Sequence, residues 1–189
     1  MSRIGGIYAL ENILNSSREY HLSILEALAA FVREKSASVV TGDVQAAMTV
    51  IGRRKIVVND APDLHGASLV KTQLHLADLS GANLEGVNFE AANMSFANAG
   101  RAHLESANFR GADMTNLDLT GAHLKGANFE GAKMKGAVLR WVDLTDTNIA
   151  QNQLSEACGE HTTLATELSI RECESDDLPD YSLDPADRD

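Results

Sequence analysis

Aromatic side chains make up only 5% of a chain that is 44% hydrophobic, and its apolar content is mostly Ala and Leu. Phe, Tyr and Trp carry much of the buried area in ordinary cores, so this composition argues against a conventional packed domain. No apolar run approaches the roughly eighteen residues of a membrane span. Met1-Ser2-Arg3 leads into a mixed segment rather than the apolar stretch of a signal peptide, so a cytoplasmic chain without membrane attachment is expected. The six His are scattered, and the glycines recur every five residues for a structural reason instead of forming a phosphate loop. No enzyme, cofactor or metal is expected.

The net charge of −11 is unevenly spread. Residues 1–61 hold 7 Lys/Arg against 6 Asp/Glu, residues 62–154 hold 7 against 10, and residues 155–189 hold 2 against 11. The acidity belongs to the tail, whose segment from Ser175 through Asp189 reads as a solvated, poorly ordered terminus. Arg53-Arg54-Lys55 reads as a solvated helix end. Without a broad basic face, no nucleic-acid partner is expected.

The dominant signal is a period of five. From Leu64 to Leu154 every fifth residue is large and apolar except Ala99. Two residues earlier each unit usually has Ala, an Asn or Asp often lies between them, and Gly often closes the unit, as at Gly81, Gly86, Gly111 and Gly121. A period of five smears apolar positions around a helix, which excludes one. Residues two apart point to the same side of an extended segment, so each unit offers an edge with one small and one large inward side chain, and Gly or Asn supplies the turn.

Four units per coil sort the side chains by kind. Residues twenty apart then form the columns Phe89/Phe109/Phe129, Met94/Met114/Met134 and Leu84/Leu104/Leu124, with Leu119 beside Ala99 in the fourth. Three or five units would mix these types. Leu117, standing where Ala is usual, is expected to fill part of the space left at Ala99.

Ala82-Asn83-Leu84-Glu85-Gly86 and Ala127-Asn128-Phe129-Glu130-Gly131 resemble the A(D/N)LXX unit of the pentapeptide-repeat family. The resemblance implies a mainly β fold, a right-handed quadrilateral β-helix, preceded here by an α-helical segment. The expected division is a helical cap over 1–55, a β-helix over 56–154, and a C-terminal cap with acidic tail over 155–189. The N-terminal stretches around Gly5-Gly6, Ala29-Ala30 and Ala46-Ala47 are similar to a helical segment often found before such repeats in bacterial proteins.

An open coil needs caps. Ile7, Leu10 and Leu14 suggest a first helix, Ser16 with Glu19 a capping box for a second, and Asp43 the N-cap of a third that Gly52 stops. The second carries an apolar stripe of Ile24, Leu25, Leu28, Phe31 and Val32. Lys55 to Val58 reads as a strand entering the first coil. Behind the repeats, Gln153 to Gly159 resembles a short helical end. Cys158 and Cys173, fifteen apart, would pair in an oxidising compartment and stay reduced in the cytoplasm. An incompletely capped end would permit a homodimer.

On the surface, Leu76 and Phe96 share an outward column and mark a candidate interaction face. Trp141 is a third outward position and a candidate part of the interaction surface, with packing beneath the C-terminal cap as the favoured reading. His103 and His123 stack outward with Asp143 next in line. Without an evident third ligand they read as solvated rungs, not a metal site. The functional expectation is a non-enzymatic protein–protein interaction or scaffold module with an unidentified protein partner. The alternative, implied by relatives of the quinolone-resistance type, is a nucleic-acid mimic that binds a type II topoisomerase (gyrase). That reading requires a rod of carboxylates, whereas this solenoid interleaves Arg101, Arg110, Lys125, Lys133, Lys135 and Arg140 among its acids.

Overall fold

The computed structural model describes residues 2–36, 40–54 and 60–177. Three helices, α1 (Arg3–Ser16), α2 (Arg18–Lys35) and α3 (Gly42–Arg53), pack on one another and lead into the repeats; a single turn, α4 (Gln151–Leu154), follows them.

The repeats form coils of twenty residues. Parallel bridges join Asp63 to Asn83, Asn88 to Asn108, and His103 to His123, each with its counterpart one coil on. Within a unit the backbone makes a four-residue turn: the amide of Ala67 donates to the carbonyl of Leu64 at 3.1 Å, and the third residue, Gly66, has φ +64°. That is the arrangement of a type II turn, and it recurs at each corner from Gly66 to Trp141. Asx side chains reinforce it, as where the Glu90 amide donates to Asn88 Oδ1 at 3.0 Å. A turn in every unit leaves one bridging residue per edge. Isolated bridges, not extended strands, therefore stand where a mainly β chain was expected.

Leu84, Phe89, Met94, Leu104, Phe109, Met114, Leu119, Leu124, Phe129 and Met134 are all buried on the axis. The Phe column is a stack, with centroids 5.4 Å and 5.3 Å apart and planes within 11° of parallel. Outside it, Asn88, Asn108, Asn128 and Asn148 form an amide ladder in which each Nδ2 donates to the Oδ1 one coil back, at 2.9, 3.0 and 2.6 Å. Leu117 is buried, as is Ala99.

At the first coil, four outward-facing amides need acceptors. Ser68 finds Ser36 Oγ at 3.0 Å, Gln73 finds Gln45 Oε1 at 2.9 Å, Asp78 finds the Gly52 carbonyl at 2.8 Å, and Asn83 finds the Pro62 carbonyl at 3.0 Å. Gln45 also donates to the Gln73 carbonyl at 2.8 Å, so its amide imitates a missing backbone rung. Gly52 does not stop α3. It lies inside the helix at a point of close approach, where an added Cβ would lie 2.7 Å from the Ala77 Cβ.

Several sequence expectations at this end are corrected. Ser17, not Ser16, precedes α2 and makes no side-chain cap, because the chain breaks for only one residue between α1 and α2. Thr41 is the N-cap of α3; Asp43 lies inside the first turn, hydrogen-bonded to Thr41 Oγ1 and to Arg3. Those two hydrogen bonds pull its carboxyl down to about 2. Arg54 is buried rather than solvated, and four acceptors explain how. Its Nε meets Asp60 Oδ1 at 3.0 Å, Nη1 the carbonyls of Ile51 and Asp78 at 2.8 and 2.7 Å, and Nη2 the Asp60 carbonyl at 2.9 Å. Asp60 Oδ2 faces His21 Nε2 at 2.6 Å, and His21 Nδ1 faces the Leu14 carbonyl at 2.8 Å. A carbonyl only accepts, so Nδ1 carries a proton. One buried polar chain thus ties α1, α2 and α3 to the first coil. The proposed strand over Lys55 to Val58 lies outside the described residues.

At the other end the ladder changes character. The column Asp63, Asn83, His103, His123 has no rung between His123 and Asp143, and resumes from Asp143 to Thr163. Side chains take over: the Phe129 amide donates to Asn148 Oδ1 at 2.6 Å, and Gln153 Nε2 donates to the carbonyls of Phe129 and Ala132 at 2.7 and 3.0 Å. Beyond α4 the chain continues the coil, with Cys158 bridged to Val138 and then to Arg171. This pairing brings Cys173 to Cys158, and the two form a disulfide, contrary to the reduced state expected in a cytoplasmic chain. Arg171 and Asp177 close the described end with hydrogen bonds of 2.6 and 2.7 Å. The remainder of the acidic tail lies outside the described residues.

No helix among the described residues is long and apolar enough to cross a membrane.

Candidate functional site

The turn corners decide what the surface shows. Left-handed backbone costs a non-glycine residue on the order of 1–2 kcal/mol. Of the sixteen corners from Gly66 to Trp141, eight use Gly; Lys71, Ala91, Arg101, Ser106 and Asn116 are small or polar, and Leu76, Phe96 and Trp141, with φ of 60°, 58° and 58°, are large and apolar. Their side chains leave the axis. Phe96 is 50% exposed and Trp141 59% exposed, whereas Leu76 is half-buried. Phe96 meets the ring of His75 edge to face, centroids 5.6 Å apart. Trp141 is not beneath the cap. It lies on its outside, stacked on His161 at 3.9 Å, because the corner directs its side chain away from the axis.

The twenty-residue register places Leu76 and Phe96 on one corner column, and Arg101, Trp141 and His161 on the next. Between these columns runs one flat face whose outward positions include Ser80, Gly100 and Thr120. The same column continues to Arg140, whose Nη2 donates to Glu160 Oε2 at 2.5 Å next to Trp141.

A second feature lies on the neighbouring face. His103 and His123 are bridged partners with ring centroids 4.7 Å apart. Glu105 Oε1 lies 3.7 Å from His103 Nδ1 and 3.5 Å from His123 Nδ1. The sequence reading missed Glu105. Its signal was its place two residues after His103, on the same outward edge. Where the ladder opens after His123, a groove of about 440 Å³ is lined by Glu105, His123, Lys125, Trp141, Asp143 and Asp146. Asp143 does not join the His pair as a ligand. Its Oδ1 accepts from the Thr145 amide and hydroxyl at 3.0 and 2.7 Å, which holds the carboxyl below its ordinary range.

Acids elsewhere on the coils are interleaved with bases. Arg110 stands between Glu90 and Glu130 at 3.8 and 3.6 Å, and Lys133 faces Asp113 at 3.7 Å.

The pentapeptide-repeats family model matches in eight copies over residues 63–95, 88–126 and 122–158, about half of the chain. The chain belongs to the pentapeptide-repeat family. Among solved structures, it is similar to a pentapeptide repeat protein from the cyanobacterium Cyanothece 51142, at 31% identity over 55% of this chain and 65% of that one, with TM-score 0.36. It is also similar to a pentapeptide repeat protein from Nostoc PCC 7120, at 26% identity over 56% of this chain and 86% of that one, TM-score 0.38. A plasmid-mediated fluoroquinolone resistance protein, QnrB1, aligns at 17% identity over 56% of each chain, TM-score 0.41. No curated protein matches. The chain spans 65% and 56% of the lengths of the Cyanothece protein and QnrB1. Pentapeptide-repeat membership accounts for the filled axis and the four-unit coil; it leaves open which outward residues have work to do.

Proposed function

We propose that this pentapeptide-repeat protein is a non-enzymatic interaction scaffold, and that the face bounded by Leu76, Phe96 and Trp141 receives a protein partner. Family membership implies the right-handed sense of the coil. The observation that carries the reading is energetic. Glycine would relieve the left-handed corners, yet two exposed aromatics occupy them without contributing to the axis. Apolar groups of this size, beside a flat face, suit an anchor for a partner surface. The axis itself is packed with side chains, which supports binding on the outside instead of within.

The test is affinity capture with the wild type and with Leu76→Asp/Phe96→Asp, after checking that circular dichroism and melting are unchanged. A protein captured by the wild type and lost from the variant supports the scaffold face. Identical capture removes it. The gyrase reading is not favoured by the alternation of Arg110 with Glu90 and Glu130, which breaks up a phosphate-like array. Micromolar protein is expected to leave gyrase supercoiling unchanged. Self-association would draw on the helical end, where Ile4, Tyr8 and Ile13 are exposed.

A further inference from the structure

We infer that His103, Glu105 and His123 form a binding site for a divalent transition metal of the zinc class. One ligand atom from each of the three lies within 4.8 Å of the others. Tetrahedral zinc with bonds of about 2.0–2.2 Å separates its ligand atoms by roughly 3.4 Å. The observed gaps of 3.5 and 3.7 Å from Glu105 Oε1 to the two Nδ1 atoms are too long for good hydrogen bonds and close to that spacing. Two imidazoles and a carboxylate are also the donor types that such a metal accepts.

Three observations separate this cluster from ordinary surface rungs. His21, His65 and His75 each make a hydrogen bond, to Leu14 and Asp60, to Asp63, and to Ser95. Among the described residues the rings of His103 and His123 make none; His161 makes none either, but it faces Glu160 by itself at 3.6 Å, whereas His103 and His123 both turn toward one carboxylate oxygen. The second oxygen of that carboxylate, Glu105 Oε2, is buried without a partner. Leaving a buried oxygen so is unfavourable, and a cation bound across the carboxylate would offset it. Finally, both His occupy the position where Asn or Asp normally caps the following turn, as Asn83 and Asn108 do for Glu85 and Arg110. The fold gives up two local hydrogen bonds at these positions and gains no core contact.

The bridge between His103 and His123 sets the spacing of the two imidazoles, and the corner after Leu104 brings Glu105 between them. Glu105 and His123 also line the groove beside Trp141, so the coordination positions left free by three protein ligands open there.

Untagged full-length protein titrated calorimetrically with ZnCl₂ tests the site. One equivalent is expected to bind, and His103→Ala/His123→Ala is expected to weaken binding by about ten-fold or more. Glu105→Gln, which preserves shape, should weaken it in the same direction, while His161→Ala should not. Bound Co²⁺ should give the intense visible absorption of a four-coordinate ion. Absence of Zn²⁺ binding, or wild-type affinity in the folded double variant, overturns the proposal.

Discussion

The two ends of the solenoid solve one problem with different chemistry. Each must satisfy the backbone of a coil that has no neighbour. The N-terminal end uses helices locked by a buried ionic chain of His21, Asp60 and Arg54. The C-terminal end uses neutral amides, Asn148 and Gln153, and then a covalent link between Cys158 and Cys173. A charged network holds only while every member is present; amides act nearly one bond at a time. The N-terminal cap should therefore fail as a unit, and the C-terminal cap in steps.

The sharpest way to break this comparison is Asp60→Ala. It leaves the Arg54 guanidinium buried without its counter-charge, and a loss of about 3–5 kcal/mol is expected. Chemical denaturation measures it, and a loss below about 1 kcal/mol would show that the ionic chain does not lock the helices. Cys173→Ser opens a fifteen-residue loop, for which chain entropy gives up to about 3 kcal/mol. Hydrogen exchange should show that loss confined to residues after the last complete coil. Gln153→Ala strands two carbonyls and should cost about 1–3 kcal/mol. If it costs as much as Asp60→Ala, the stepwise picture of the C-terminal cap is wrong.

Smaller effects sharpen the picture. Phe96→Gly relieves a left-handed corner and should leave the fold as stable or up to about 1 kcal/mol more so in thermal melts, while abolishing partner capture. A clear loss of stability would mean that Phe96 serves the fold. The smallest effect concerns acid. The Arg171 hydrogen bond holds the Asp177 carboxyl at about 2, against an ordinary 3.8. A depressed folded value means that the contribution is present above the ordinary value and lost as pH falls toward 2. Nuclear magnetic resonance of the segment around Arg171 should show it loosening across that window, with the coils unaffected.

The repeat region was almost fully legible. The column of Phe89, Phe109 and Phe129 follows from the period alone, because each unit faces the same neighbours one coil away. Arg54 was misread because a cation at a helix end is usually solvated, and nothing local shows that Asp60 and the Ile51 and Asp78 carbonyls surround it. Glu105 escaped notice because the sequence places it on the same strand edge as His103, while only the turn after Leu104 brings its carboxylate between the two imidazoles. Trp141 was assigned to the cap interior on its position in the last coil, and the corner geometry sent it outward.

The sequence by itself determined the coil: its five-residue unit, its four-unit turn and the identity of every axial layer. Those are set by contacts that repeat, and a repeated contact leaves a period. The closing of the ends, the disulfide, the outward turn of Trp141 and the place of Glu105 between His103 and His123 were decided only by tertiary structure. Each arises once, from residues that close in space without any regular spacing in the chain, and a contact made once leaves no period to read.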